Sequence, residues 1–187
     1  HGMNFKFGDP HQLNHTGAIV CQDWPGPKAR VPITEKYYFS ADDVTSDAKL
    51  LGSIFFLFGC YSAGTPKKDN FYRQAFGEPK DIAPYAIVAR LPKALLSHCN
   101  GGALAVIAKV ERVWGNSILE DGIISQVDVF IKALSQLMQN FPVGIAMEIF
   151  NQRYLTLAAE LAEELDQNGG ENQDEVKMAG LWTTALD

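Results

Sequence analysis

Two apolar runs of strand length constrain this chain more than any other feature. Residues 54–58 read Ile-Phe-Phe-Leu-Phe, and residues 103–108 read Ala-Leu-Ala-Val-Ile-Ala. Neither run alternates with polar residues, the pattern of strands buried on both faces. Between them, residues 84–98 read as a helix, broken at Pro92 and stopped by Asn100-Gly101-Gly102. Strand, helix, glycine stop and strand make a βαβ unit, which favours parallel pairing. The expected architecture is α/β: a mainly parallel sheet between helices, in three αβα layers.

The flanking segments carry weaker signals. Residues 1–15 are rich in Gly, His, Asn and Pro and read as loop. Residues 17–21 form a short apolar run, broken by Asp23-Trp24-Pro25-Gly26-Pro27, and residues 37–39 read as extended. Ser40-Ala41-Asp42-Asp43 suits the start of a short helix ending near Leu51-Gly52. Gly64, Pro66, Gly77 and Pro79 make residues 64–83 a long loop or a broken helix. In the last third, Val127, Phe130, Ile131, Leu134, Leu137 and Met138 follow a 3.6-residue period. A second helix is expected with Asn140 near its cap and Pro142 in its first turn. Its apolar face is Ala146, Met147, Phe150, Tyr154, Leu157, Ala158, Leu161 and Leu165. Residues 166–175 read as a solvated linker, and residues 178–186 as one more short helix. Three convincing strands are few for such a sheet. Residues 1–187 are therefore expected to be a single domain, truncated at both ends and lacking its first strands.

Composition narrows the function. A net charge of −6, with no clustered Lys or Arg, argues against nucleic-acid binding. No apolar run approaches the ~18–20 residues needed to cross a bilayer, so no membrane partner is expected. No basic n-region followed by an apolar h-region opens the chain. Cys21, Cys60 and Cys99 are an odd number without CxxC pairing, which suits a reducing compartment, the cytoplasm, and no cysteine zinc site. No cofactor or metal is expected.

Ligand sites of parallel sheets lie at the carboxyl ends of the strands. Cys60 follows directly on residues 54–58; Gly59 lets the backbone turn, and Ser62-Ala63-Gly64 keeps the space before the sulfur open. A buried cysteine can equally be a small hydrophobe of the core. Cys21 and Cys99 lack the small-residue loop and read as structural. A thiol nucleophile needs a base, and histidine suits neutral pH. His98 lies at a helix end, and His11 and His15 sit in polar loop, where a solvated surface histidine is expected. His1 is followed by Gly2, which lets a substrate approach the backbone closely. A Cys–His dyad of Cys60 and His1 is the candidate. An N-terminal His1 could also chelate copper, but such sites belong to exported β-sandwiches, unlike this helical, disulfide-poor chain. An α/β-hydrolase elbow is disfavoured because Gly59-Cys60-Tyr61 lacks the second flanking glycine. Trp24 and Trp114 read as core or rim aromatics, or as a roof over the cleft.

The order His1-Gly2-Met3-Asn4-Phe5, residues 17–24 (GAIVCQDW), residues 56–66 (FLFGCYSAGTP), residues 91–96 (LPKALL) and residues 101–107 (GGALAVI) resembles the caspase-like cysteine peptidases, most closely the bacterial CHAT-type domains. Val113-Trp114 and Leu181-Trp182 extend the likeness over most of the chain. Two departures stand out: no strand precedes His-Gly, and Lys109 follows Ala108 where close relatives have a Gly-His pair.

The resemblance implies endopeptidase activity on a protein or peptide substrate, through a thioester. His1 draws the proton from Cys60, the thiolate attacks the scissile carbonyl, and the backbone N–H groups of Gly2 and Cys60 hold the oxyanion. Gly59 is counted with Gly2 among the oxyanion- and substrate-binding residues. Asp42, Asp43 or Asp69 would line a pocket for a cationic P1 side chain, although Asp42 and Asp43 also suit a helix N-cap. The alternative is a catalytically inactive caspase-like domain that serves as an interaction or signalling module, with partner domains outside these residues.

Overall fold

The computed structural model describes residues 2–69, 79–113, 119–120, 124–125 and 127–168. It is a mixed α/β structure with a small parallel sheet. These residues fall into two compact units, 2–69 with 79–113, and those from 119 onward, where the sequence reads as one domain.

The first unit is built on β3 (Ile54–Leu57) and β6 (Ala105–Ala108), which pair parallel with Ile54 opposite Ala105 and Leu57 opposite Ala108. Before them come α1 (Gln12–His15), β1 (Ile19–Val20) and β2 (Tyr38–Phe39), the last two paired antiparallel. Between β3 and β6 lie β4 (Gly64–Thr65) and β5 (Ile87–Val88), an antiparallel pair, and α2 (Arg90–Leu96). The strand–helix–strand unit read from the apolar runs is present, with a β4–β5 pair inserted ahead of its helix. Pro92 does not break α2. It is the third helical residue, and first-turn N–H groups have no partner within the helix to lose. Leu91, Pro92 and Leu95 are buried, and α2 packs on β6.

Burial on both faces, expected for residues 54–58, is not found: Ile54 and Phe58 are each 37% exposed. β3 has a neighbour on one side only among the described residues. The helix expected from Ala41 to Leu51 is a single 3-10 turn, Ala41–Asp43. Ser40 and Asp43 close a capping box there, and Thr45 and Asp47 bond to each other instead of continuing the helix.

The second unit holds β7 (Leu119–Glu120) and β8 (Ile124–Ser125), an antiparallel pair, then α3 (Val127–Met138) and α4 (Val143–Asn168). Phe130 and Phe150 meet edge to face at 5.2 Å between ring centres, with Ala133, Ala146 and Leu157 buried. Asn140 does not cap α4. It ends α3, with φ +63. Its N–H reaches Leu137 O at 3.1 Å, and the Phe141 N–H reaches Gln136 O at 3.0 Å, the double bond of a Schellman ending. α4 runs through Asn168, three residues into the linker expected over 166–175; the rest of that linker and the helix expected over 178–186, with Leu181-Trp182, lie outside the described residues. No described helix is long and apolar enough to cross a membrane.

The left-handed ending of α3 makes a prediction. An L-residue in that region costs roughly 1–2 kcal/mol, which asparagine partly escapes and glycine avoids. In urea unfolding, Asn140→Gly should leave the stability unchanged or raise it, and Asn140→Val should lower the unfolding free energy by about that amount.

Candidate active site

Cys60 lies where β3 ends and the chain turns. Beyond the strand, the loop 59–64 stays clasped to the segment that follows β6. Ser62 Oγ donates to Leu57 O at 2.7 Å and accepts the Lys109 N–H at 3.0 Å. The Ala63 N–H bonds Lys109 O at 2.7 Å, and the Tyr61 N–H bonds Glu111 O at 2.9 Å. Lys109 thus serves the loop through its backbone. The Cys60 sulfur is held the same way: it accepts the Val113 N–H at 3.3 Å and faces Val113 O at 3.7 Å.

Gly2 is brought directly onto this turn. A Cβ on Gly2 would stand 1.9 Å from Cys60 O and 3.1 Å from Cys60 N, so only glycine fits. The segment behind Gly2 is firmly tied. The Met3 N–H bonds Ala18 O at 2.9 Å, and the Gly17 N–H bonds Met3 O at 2.8 Å. Asn4 Nδ2 reaches Thr65 Oγ1 at 3.4 Å, and the buried Gln12 amide bonds both Phe5 O and Ile82 O. Gly2 faces Ile19 as an isolated antiparallel bridge. Because Met3 supplies the N–H to Ala18, Gly2 belongs to a non-hydrogen-bonded pair, and its own N–H points away from β1. The Cys60 N–H has no acceptor among the described residues. The Gly2 amide is thus not spent on β1, nor the Cys60 amide on a described acceptor.

Tyr61, directly after Cys60, is buried with φ +57, a rare conformation for a bulky residue. Arg112 lies 5.6 Å from its ring centre and forms a two-pronged ion pair with the buried Asp69. This arrangement was not legible in sequence, since Tyr61, Asp69 and Arg112 share no local spacing.

The other expected site residues fall as follows. His1 lies outside the described residues, as does Trp114. Gly59 bonds Leu57 O at 3.0 Å and shapes the turn. Asp69 is neutralised by Arg112 rather than open to a substrate. Asp43 caps Ser40, and Asp42 is shared between Arg90 at 3.1 Å and His15 at 3.2 Å. None of the three carboxylates is left unpaired for a cationic side chain. The Trp24 indole donates to Val31 O at 3.0 Å. His98 donates from Nε2 to Thr45 O at 2.9 Å. His15, expected to be a solvated loop histidine, is buried: one ring nitrogen meets the Tyr38 hydroxyl and the other meets Asp42. The α1 turn carries it inward, a displacement that loop-like composition conceals.

Comparison with known proteins finds no match to a family model, to a curated protein or to a solved structure.

Burial pushes the Tyr61 phenol up to about 12 from 10.0, with Asp69 and Glu111 adding to it against Arg112. Tyr38 is likewise pushed up to about 12, first by burial and then by nearby carboxylates, Glu35 foremost. Each native phenol holds its proton more tightly than the unfolded one. Their contribution to stability is therefore complete below pH 10 and is lost as the pH rises toward about 12. Urea midpoints should fall across that window, and less steeply in Tyr61→Phe.

Proposed function

We propose that this chain is a caspase-like cysteine endopeptidase of the bacterial CHAT type, in which Cys60 and His1 form the dyad. The observation that carries the reading is the seating of the Gly2 backbone against the Cys60 backbone at the carboxyl end of β3. His1 is one peptide bond from Gly2, and consecutive Cα atoms are 3.8 Å apart. The parallel β3–β6 pair with α2 supports the larger proposal of an αβα sandwich, of which it is the central unit.

In this mechanism the His1 ring takes the Cys60 proton, and the sulfur adds to the scissile carbonyl carbon. The oxyanion forms beside the Gly2 and Cys60 amides. The C–N bond then breaks, the amine departs with the proton from His1, and a thioester remains. Water, deprotonated by His1, releases the acid and restores the thiol. The pairing of Asp42, Asp43 and Asp69 argues against a built-in pocket for a cationic P1 residue. Three free thiols suit a reducing compartment such as the cytoplasm.

One observation favours a second reading, an inactive module that retains the fold for protein interaction. Both backbone groups of Val113 engage the Cys60 sulfur, as they would a purely structural thiol. Thiol labelling separates the two. Exposure alone would make Cys99 the first to react, since Cys60 is half-buried. In the peptidase, iodoacetamide near pH 7 alkylates Cys60 first, and a mixed peptide library is cleaved. Cys60→Ala abolishes that cleavage, and Gly2→Ala, whose Cβ would push the Gly2 amide off the Cys60 backbone, lowers kcat by roughly 10²–10³-fold, the scale of an oxyanion donor put out of reach. Labelling of Cys99 first, with cleavage absent or unchanged in Cys60→Ala, sinks the peptidase and leaves the module.

A further inference from the structure

A second cluster of reactive side chains lies around α1 and shares no residue with the Cys60 turn. His11 and His15 stand one helical turn apart, joined by the His15 N–H to His11 O bond of 2.8 Å. Their rings are 5.2 Å apart between centres and share a side of the turn with Phe5. Glu35, which opens the 3-10 turn Glu35–Tyr37, reaches over both: its Oε1 is 3.7 Å from His11 Nδ1 and 3.9 Å from His15 Nδ1. One ligand atom from each of the three lies within 4.8 Å of the other two.

We propose that His11, His15 and Glu35 bind a divalent cation of the zinc type through the two Nδ1 atoms and Oε1, with water in the fourth position. Two imidazoles and a carboxylate are a donor set that zinc favours, and ligand atoms around a tetrahedral zinc stand roughly 3.3–3.5 Å apart. The Glu35 distances exceed that by about half an ångström or less. His11 and Glu35 are exposed, so side-chain rotation can close the gap without moving the backbone.

The surroundings of His15 are already those of a metal ligand. Its Nε2 faces the Asp42 carboxylate at 3.2 Å, which can only accept, so the ring hydrogen sits there. In the neutral ring that leaves the lone pair on Nδ1, the nitrogen turned toward Glu35. Asp42 is itself held by Arg90 at 3.1 Å. A carboxylate behind the histidine fixes the tautomer and ring orientation, an arrangement typical of ligating histidines. The Tyr38 hydroxyl now donates into the same Nδ1 and must give way when the cation binds. The bound ion would fasten the Glu35–Tyr37 turn to α1. This inference stands apart from the peptidase reading and survives its failure.

Zinc uptake by the intact chain, followed by competition with a chromophoric chelator and by cobalt substitution, tests it. Expected are one ion per chain at micromolar concentration, cobalt d–d bands without a thiolate charge-transfer band, and a melting temperature that rises with zinc. His11→Ala and Glu35→Gln change exposed side chains and should leave the fold intact. Each should weaken uptake about ten-fold or more, and Asp42→Asn should weaken it about 10–100-fold. Absence of uptake, uptake unchanged in His11→Ala and Glu35→Gln, or a cobalt–thiolate band that places the ion on a cysteine would overturn the proposal.

Discussion

The buried hydroxyl of Ser62 is the point on which the rest of the Cys60 region depends. A parallel pair of four residues ends at Leu57 and Ala108, and its strands would diverge there without a further tie. Ser62 supplies one, giving its proton to Leu57 O and taking the Lys109 N–H, while fully buried. Leaving either partner unsatisfied would cost about 1–3 kcal/mol. Through this tie the segment 109–113 continues alongside the loop, and its backbone meets Ala63, Tyr61 and the Cys60 sulfur in turn. The position of the thiol therefore follows from the pairing of β3 and β6.

The same tie tolerates strain. A left-handed tyrosine is unfavourable by roughly 1–3 kcal/mol and persists only where its surroundings over-determine it. Tyr61 is held by its N–H to Glu111 O and by the Gly64 N–H to its own carbonyl. Its ring is covered by Arg112, which Asp69 anchors. Gly17 closes the back of the loop: at φ +85, a Cβ there would meet Ala89 at 2.6 Å and Tyr61 O at 2.9 Å. Strain of this kind gathers at functional turns, and here it sits one residue past the thiol.

Legibility differed between the two parts of the molecule for a physical reason. The paired apolar runs and the 3.6-residue period of α3 are local patterns, and each appears in the structure at nearly its expected place; the helix expected over residues 84–98 forms only as Arg90–Leu96, because Ile87–Val88 pair with β4 instead. In sequence Asn140 suits the start of α4, yet it ends α3, because asparagine serves both an N-cap and a left-handed C-terminus and only the backbone distinguishes them. The polar neighbours of His15 in sequence point to a solvated side chain. Its burial comes from Tyr38 and Asp42, more than twenty residues away. Asp69 offered a carboxylate for a substrate until Arg112, forty-three residues on, proved to hold it.

The sequence by itself determined that a βαβ unit would form and that Cys60 would stand at the end of its first strand. Apolar runs and helical periods encode burial over a few residues, and a strand's end is a matter of chain order. Only the tertiary structure decided what surrounds that cysteine: Gly2 from the start of the chain, Val113 from beyond β6, and carboxylates drawn into pairs. It also gathered His11, His15 and Glu35, which a proline- and glycine-rich loop separates in sequence. Such contacts depend on loop paths through space. Those paths follow from the sum of many weak interactions that no short stretch of residues carries alone.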